Sequence, residues 1–151
     1  MREIKFRAWD KEYEKMTYFD DEDYEYEPPL VFRLDQVFKK DSNYDDYEDF
    51  EYNDITNKVE IMQYVGLKDE NDKEIYEGDI LKINDDIRRT YDLEYIMYIE
   101  FREGAFYLNS EKEKKWTLLR CLPALVDIEG KVRGRVIGNI FEDKELLNET
   151  N

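Results

Sequence analysis

Apolar residues alternate with charged ones in short runs, and a turn residue closes almost every run. This period of two constrains the fold more than any other feature of the chain. Ile4-Lys5-Phe6-Arg7-Ala8-Trp9 alternates, Asp10 to Lys15 turns, and Met16-Thr17-Tyr18-Phe19 returns, which predicts a β-hairpin. Val59 to Val65 alternates again, and Gly66 is expected to break it. Leu67 to Tyr76 reads as two short arms around a turn at Asn71-Asp72, residue types that tolerate the left-handed region. Glu77-Gly78-Asp79 is a second turn and launches Ile80-Leu81-Lys82-Ile83. Strand patterns follow at Leu93 to Arg102, at Ala105 to Leu108 beyond a Glu103-Gly104 turn, and at Gly134 to Ile140. The expected class is therefore mainly β, a β-rich α+β chain with a small barrel portion, an N-terminal hairpin and one or two short helices. Leu118, Leu119, Leu122 and Leu125 fit a helical face within Trp116 to Val126, which Pro123 limits to a short helix with the proline in or near its first turn or to an irregular segment, and Glu142 to Glu149 suggests another helix, anchored by Leu146 and Leu147. Val31-Phe32-Arg33-Leu34 and Val37-Phe38 fit either a strand end or a short helix.

Charge divides the chain unevenly. Its net charge of −16 comes from 39 acidic and 23 basic residues without a histidine. Residues 10 to 54 hold 17 acids and 5 bases, so 5 − 17 = −12 of that charge lies in 45 residues, together with 11 of the 23 aromatics. Disordered acidic tracts are poor in aromatics, so this composition marks either a solvated, partly mobile face or a functional face, one that recognises a basic partner or mimics a row of phosphates. Its core positions are Asp20, Asp21, Glu22, Asp23, Tyr24 and Tyr26, and then Tyr44, Asp45, Asp46 and Tyr47. The expected organisation is a hairpin plus acidic, Tyr-rich region over 1–58 and a barrel-like domain over 59–151, packed as one unit.

Most catalytic chemistry lacks its residues. Without histidine there is no Ser-His-Asp triad, Cys-His pair or His-bearing zinc site. Cys121, the only cysteine, sits in Leu118-Leu119-Arg120-Cys121-Leu122 and reads as a core thiol. Asp69 to Ile80 begins like a calcium loop, but Lys73, Glu74 and Ile80 occupy positions that need a ligand, a glycine and a bidentate acid. The triplets Glu3-Ile4-Lys5, Glu113-Lys114-Lys115 and Glu142-Asp143-Lys144 resemble nuclease fragments, yet a chain that is 41% charged produces them freely. No cofactor is expected, and carboxylate-bound Mg²⁺ is the one catalytic chemistry the composition easily permits. The net charge argues against direct nucleic-acid binding. The basic clusters Lys112 to Lys115 and Lys131, Arg133, Arg135 are small, and read as solvated loop faces or as contacts to an acidic region of another copy. No apolar stretch is long enough for a membrane span, and the N-terminus lacks a secretory h-region, so a cytoplasmic protein is expected.

Three segments carry a resemblance: Met1 to Asp10, Met62-Gln63-Tyr64-Val65-Gly66-Leu67-Lys68-Asp69 running on to Ile75-Tyr76-Glu77-Gly78-Asp79-Ile80, and Val136-Ile137-Gly138-Asn139-Ile140-Phe141-Glu142. Their order and spacing resemble the YopX family of phage and prophage proteins. Asn71-Asp72 stands where that family often has Asn-Gly, and Asp143-Lys144 where it has a helix-starting Asn-Pro. The resemblance implies a small β-rich protein with an SH3-like barrel portion and no assigned catalytic residues. Trp9, Tyr64, Gly66, Leu67, Tyr76, Gly78, Asp79, Gly138 and Asn139 then carry over as a structural signature rather than as a site.

The leading functional expectation is a phage or prophage accessory protein that works by protein contact, its partner unknown, with self-association expected from the split charge. An acidic mimic of DNA that inhibits a nucleic-acid-binding protein is one alternative. A Mg²⁺-dependent phosphodiesterase or nucleotide hydrolase is the other.

Overall fold

The computed structural model describes residues 3–19, 30–33, 36–40, 52–84, 94–110, 115–118 and 125–148. The chain is mainly β and resolves into two compact units, Lys5–Met62 and Gln63–Asn151, the second also taking in Met1–Ile4.

In the Lys5–Met62 unit, β1 (Phe6–Asp10) and β2 (Lys15–Tyr18) form the expected hairpin, with Ala8 opposite Thr17 and Trp9 opposite Met16. Its turn is fixed by Asp10, whose Oδ1 accepts the amides of Glu12 and Tyr13 at 2.9 and 3.0 Å. β6 (Val59–Lys68) lies on the other side of β1 from β2. Three further strands, β3 (Leu30–Arg33), β4 (Gln36–Lys40) and β5 (Tyr52–Asp54), make a sheet in the order β3-β4-β5. This settles the ambiguous apolar run as a hairpin, with Val31 opposite Phe38. Thr56, in a short 3-10 turn (Thr56–Lys58), links β4 to β5. Its hydroxyl donates to Asp54 at 2.6 Å and accepts the Val37 amide at 2.9 Å. Ala8, Val37, Ile55 and Val59 form this unit's core, with Phe19 and Ile61 against it.

The second unit is built on a five-stranded antiparallel sheet curled into a half-barrel, in the order β11-β10-β9-β8-β12. Its strands are β8 (Asp79–Asn84), β9 (Glu94–Arg102), β10 (Ala105–Ser110), β11 (Lys115–Leu118) and β12 (Gly134–Asn139). Period-two alternation sends Leu81, Ile83, Ile99 and Leu108 to one face, where they pack with Val65, Ile75, Leu125 and Val132. Here β6 pairs with β7 (Glu74–Tyr76).

Three expectations change. Gly66 does not end its strand: β6 continues to Lys68, and Gly66 at φ 85° lies where the pairing with β7 shifts register between Tyr64 and Lys68. A glycine in the left-handed region at such a shift is how a strand gains a bulge and keeps pairing. The helix expected from Trp116 is overturned at its start, because Lys115–Leu118 is a strand paired with β10, Trp116 opposite Asn109. The leucine spacing there also fits a strand followed by a break, and pairing to an existing edge outweighs local preference. Residues 119–124, with Cys121, lie outside the described residues. The C-terminal helix is a 3-10 turn (Lys144–Asn148) that buries Leu147.

Gly134 opens β12 where β8 passes close: a Cβ there would lie 2.6 Å from the Lys82 carbonyl oxygen and 3.1 Å from the Ile83 Cα. Both are backbone atoms, so the sheet itself has to move. Gly134→Ala is expected to lower stability by about 1–3 kcal/mol in urea unfolding, and an unchanged midpoint would show that β12 is free to shift.

Candidate functional site

Asp69, Asp79 and Asn139 sit at the turns and strand ends of the half-barrel unit, and the backbone shows why. Asp69 is 1% exposed and directly follows β6. Its Oδ1 accepts the amides of Asn71 and Lys73 at 2.8 and 2.9 Å, closing the turn with Asp72 at φ 67°. Its Oδ2 accepts the Val136 amide at 2.9 Å, 67 residues onward. The Glu70 amide reaches the Gly134 carbonyl at 3.0 Å, and the Val132 amide the Lys68 carbonyl at 2.8 Å. The β6–β7 turn thus holds the outer edge of β12.

The second turn ties three strands. The Glu77 amide donates to the Gln63 carbonyl and the Gly78 amide to the Ile99 carbonyl, while the Gly78 carbonyl accepts the Ile140 amide at 2.9 Å. Asp79, 1% exposed, accepts the Tyr76 amide at 2.8 Å. Across the β8–β12 pairing, Asn139 stands opposite Asp79 and Gly138 opposite Ile80. The Asn139 Oδ1 accepts the amides of Phe141 and Glu142, both at 3.0 Å, and Asp143 accepts the Asn139 amide at 3.1 Å. A Cβ on Gly138 would come within 2.5 Å of the Asp143 Oδ2, so the missing side chain leaves room for that carboxylate.

Aromatic bodies fill the space beside these turns. Tyr64 and Tyr76 are buried with ring centroids 5.5 Å apart and planes tilted by 45°, and the Tyr76 hydroxyl donates to Glu74 at 2.9 Å. Leu67 packs against the core of the unit. Trp9 is buried on β1, within the Lys5–Met62 unit.

A second loop repeats the first, which the sequence does not advertise. Asp127 Oδ1 accepts the amides of Glu129 and Lys131, both at 2.9 Å. The Asp127 amide donates to the Lys131 carbonyl, as the Asp69 amide does to that of Lys73. Gly130 at φ 81° takes the place of Asp72. Asp69-Glu70-Asn71-Asp72-Lys73 and Asp127-Ile128-Glu129-Gly130-Lys131 share only their first and last residues, so a search for repeats misses them. Lys131 joins the two loops through an ion pair to Asp72 at 2.8 Å.

A family model described as YopX protein matches residues 5–148. The chain belongs to the YopX protein family. No curated protein sequence matches this YopX-family chain. Among solved structures it is similar to protein EF1440 from Enterococcus faecalis, at 28% identity and TM-score 0.56, covering 97% of this chain and 99% of that one.

The geometry of this YopX-family chain gives the carboxylates of Asp69, Asp79 and Asp143 backbone amides as partners. Among the described residues no group of three or more Asp, Glu or Cys side chains is placed to hold a metal ion, and no helix is long and apolar enough to cross a membrane. Asp20, Asp21, Glu22, Asp23, Tyr24, Tyr26, Tyr44, Asp45, Asp46 and Tyr47 lie outside the described residues. The basic cluster of the sequence is split: Lys131 is paired with Asp72 and Glu129, whereas Arg133 and Arg135 are exposed.

The hydrogen bond from Lys131, with its charge, holds the Asp72 carboxyl below its ordinary value of 3.8, and the Asp72 partner holds Lys131 above 10.5. A carboxyl that titrates lower folded than unfolded contributes stability above 3.8 and loses it as pH falls through the folded value. Asp72→Asn keeps a residue that accepts the left-handed turn while removing the charge. The variant is expected to melt slightly below the natural protein at neutral pH, the gap closing under strong acid. Equal melting temperatures at neutral pH would show that the exposed pair contributes nothing.

Proposed function

We propose that this chain is a phage- or prophage-encoded accessory protein of the bacterial cytoplasm that acts by protein contact, with residues 20–54 as its recognition face. The observation that carries this reading is the concentration of −12 charges and 11 aromatics in residues 10–54. Carboxylates attract a basic partner over a Debye length, and tyrosine rings supply contact area at low entropic cost. The loops described above support it from the other side, since Asp69 and the signature residues Asp79 and Asn139 hold backbone amides of their own chain. The half-barrel unit then serves as a scaffold, and recognition falls to the segment where charge is in excess.

The test is affinity capture from a lysate of Enterococcus faecalis, the source of the structural relative. Asp20→Asn, Asp21→Asn, Glu22→Gln and Asp23→Asn, combined in one variant, serve as the second bait. The natural chain is expected to retain a small set of basic proteins, and the neutralised bait to hold them at least about tenfold more weakly. Raised salt should weaken the first bait toward the second. If the retained set consists of DNA-binding proteins that duplex DNA displaces, the contact is a mimic of DNA. Identical proteins on both baits would overturn the reading.

A further inference from the structure

We infer that Arg133 and Arg135 form a docking strip for the acidic segment of a second copy of this chain. The inference rests on the same acidic segment as the proposed function but on a different surface. Arg135 lies on β12 directly opposite Lys82 on β8, so two cations face each other across the pair. Like charges directly opposite each other oppose sheet formation, and Lys82 has an interaction of its own, so the demand for an anion falls on Arg135. Lys131, two residues before Arg133, meets that need within its own loops through Asp72 and Glu129. Arg133 and Arg135 are exposed, and among the described residues neither has an ion pair. The Gly134 between them has no side chain, and the Lys82 carbonyl oxygen and Ile83 Cα of β8 lie where one would begin.

The chemistry that fits is a carboxylate-rich, aromatic peptide. Arg guanidinium groups take carboxylates in two-pronged hydrogen bonds and stack on tyrosine rings, which lysine does less well. The sequence supplies such a peptide at Asp20-Asp21-Glu22-Asp23-Tyr24-Glu25-Tyr26-Glu27. Each copy therefore carries a strip and a strip-binding segment, and docking between copies competes with the basic partner for the same carboxylates. Self-association then becomes a reserve state that the partner displaces.

Sedimentation velocity on the full chain tests this across protein concentration, from roughly 0.01 M to 0.15 M salt. The natural protein is expected to associate with rising concentration at low salt and to dissociate as salt is added. Arg133→Glu with Arg135→Glu, and separately the four-site neutralised variant at Asp20 to Asp23, should both remain monomeric. Arg133→Gln with Arg135→Gln guards against misfolding: it should melt like the natural protein yet also stay monomeric. A natural protein that is monomeric throughout, or arginine variants that associate as the natural protein does, would overturn the inference. The arginine variants should capture the same lysate proteins as the natural chain. Loss of capture only in the neutralised variant, with unaltered association in the arginine variants, would remove this inference and leave the proposed function standing. Monomeric arginine variants with no charge-dependent capture by any bait would do the reverse.

Discussion

One buried carboxylate organises the half-barrel unit. Asp69 accepts three backbone amides, two from its own turn and one from Val136, so a local loop and a strand 67 residues away share an anion. A carboxylate with 1% exposure is stable only when its oxygens are occupied, and an amide turned outward from an edge strand is stable only when it finds an acceptor. Each group meets the other's requirement. The outer edge of β12 is thereby engaged at Gly134 and Val136, which leaves less of it open to pairing with a foreign strand.

The placing of the signature residues Gly138 and Asn139 follows from that arrangement. Once β12 is held in register, Asn139 falls opposite Asp79 and Gly138 opposite Ile80, which brings the middle and final signature blocks together. Asp79, Asn139 and Asp143 then each accept a backbone amide within their own turn or the adjoining strand end. The polar groups of these blocks are consumed in holding the chain. Arg133 and Arg135, by contrast, are exposed and among the described residues have no ion pair.

Much of this was legible in the sequence because alternation and turn chemistry act locally. The hairpin at Asp10, the turns at Asn71-Asp72 and Glu103-Gly104, and the strand from Gly134 all follow from residue type and spacing. What was not legible depended on contacts made at a distance. The Asp69–Val136 bond joins residues that no local pattern relates. Gly66 reads as a break in isolation and becomes a bulge only when β7 pairs beside it. Trp116 looked helical because its leucines are spaced for a helix face, but β10 offers an open edge. The likeness of the Asp69 and Asp127 loops lies in backbone bonds rather than side chains, so composition could not reveal it.

The central claim, that Asp69 ties the β6–β7 turn to the edge of β12, is tested most directly by amide hydrogen exchange resolved by residue. Val136 is the decisive reporter, because its amide points away from the strand it pairs with and toward Asp69. If the account holds, the amides of Val136, Asn71 and Lys73 exchange as slowly as those of Leu81 and Ile99 in the core strands, and Asp69→Ala releases all three together. Exchange of Val136 at the rate of an exposed loop in the natural protein would contradict it.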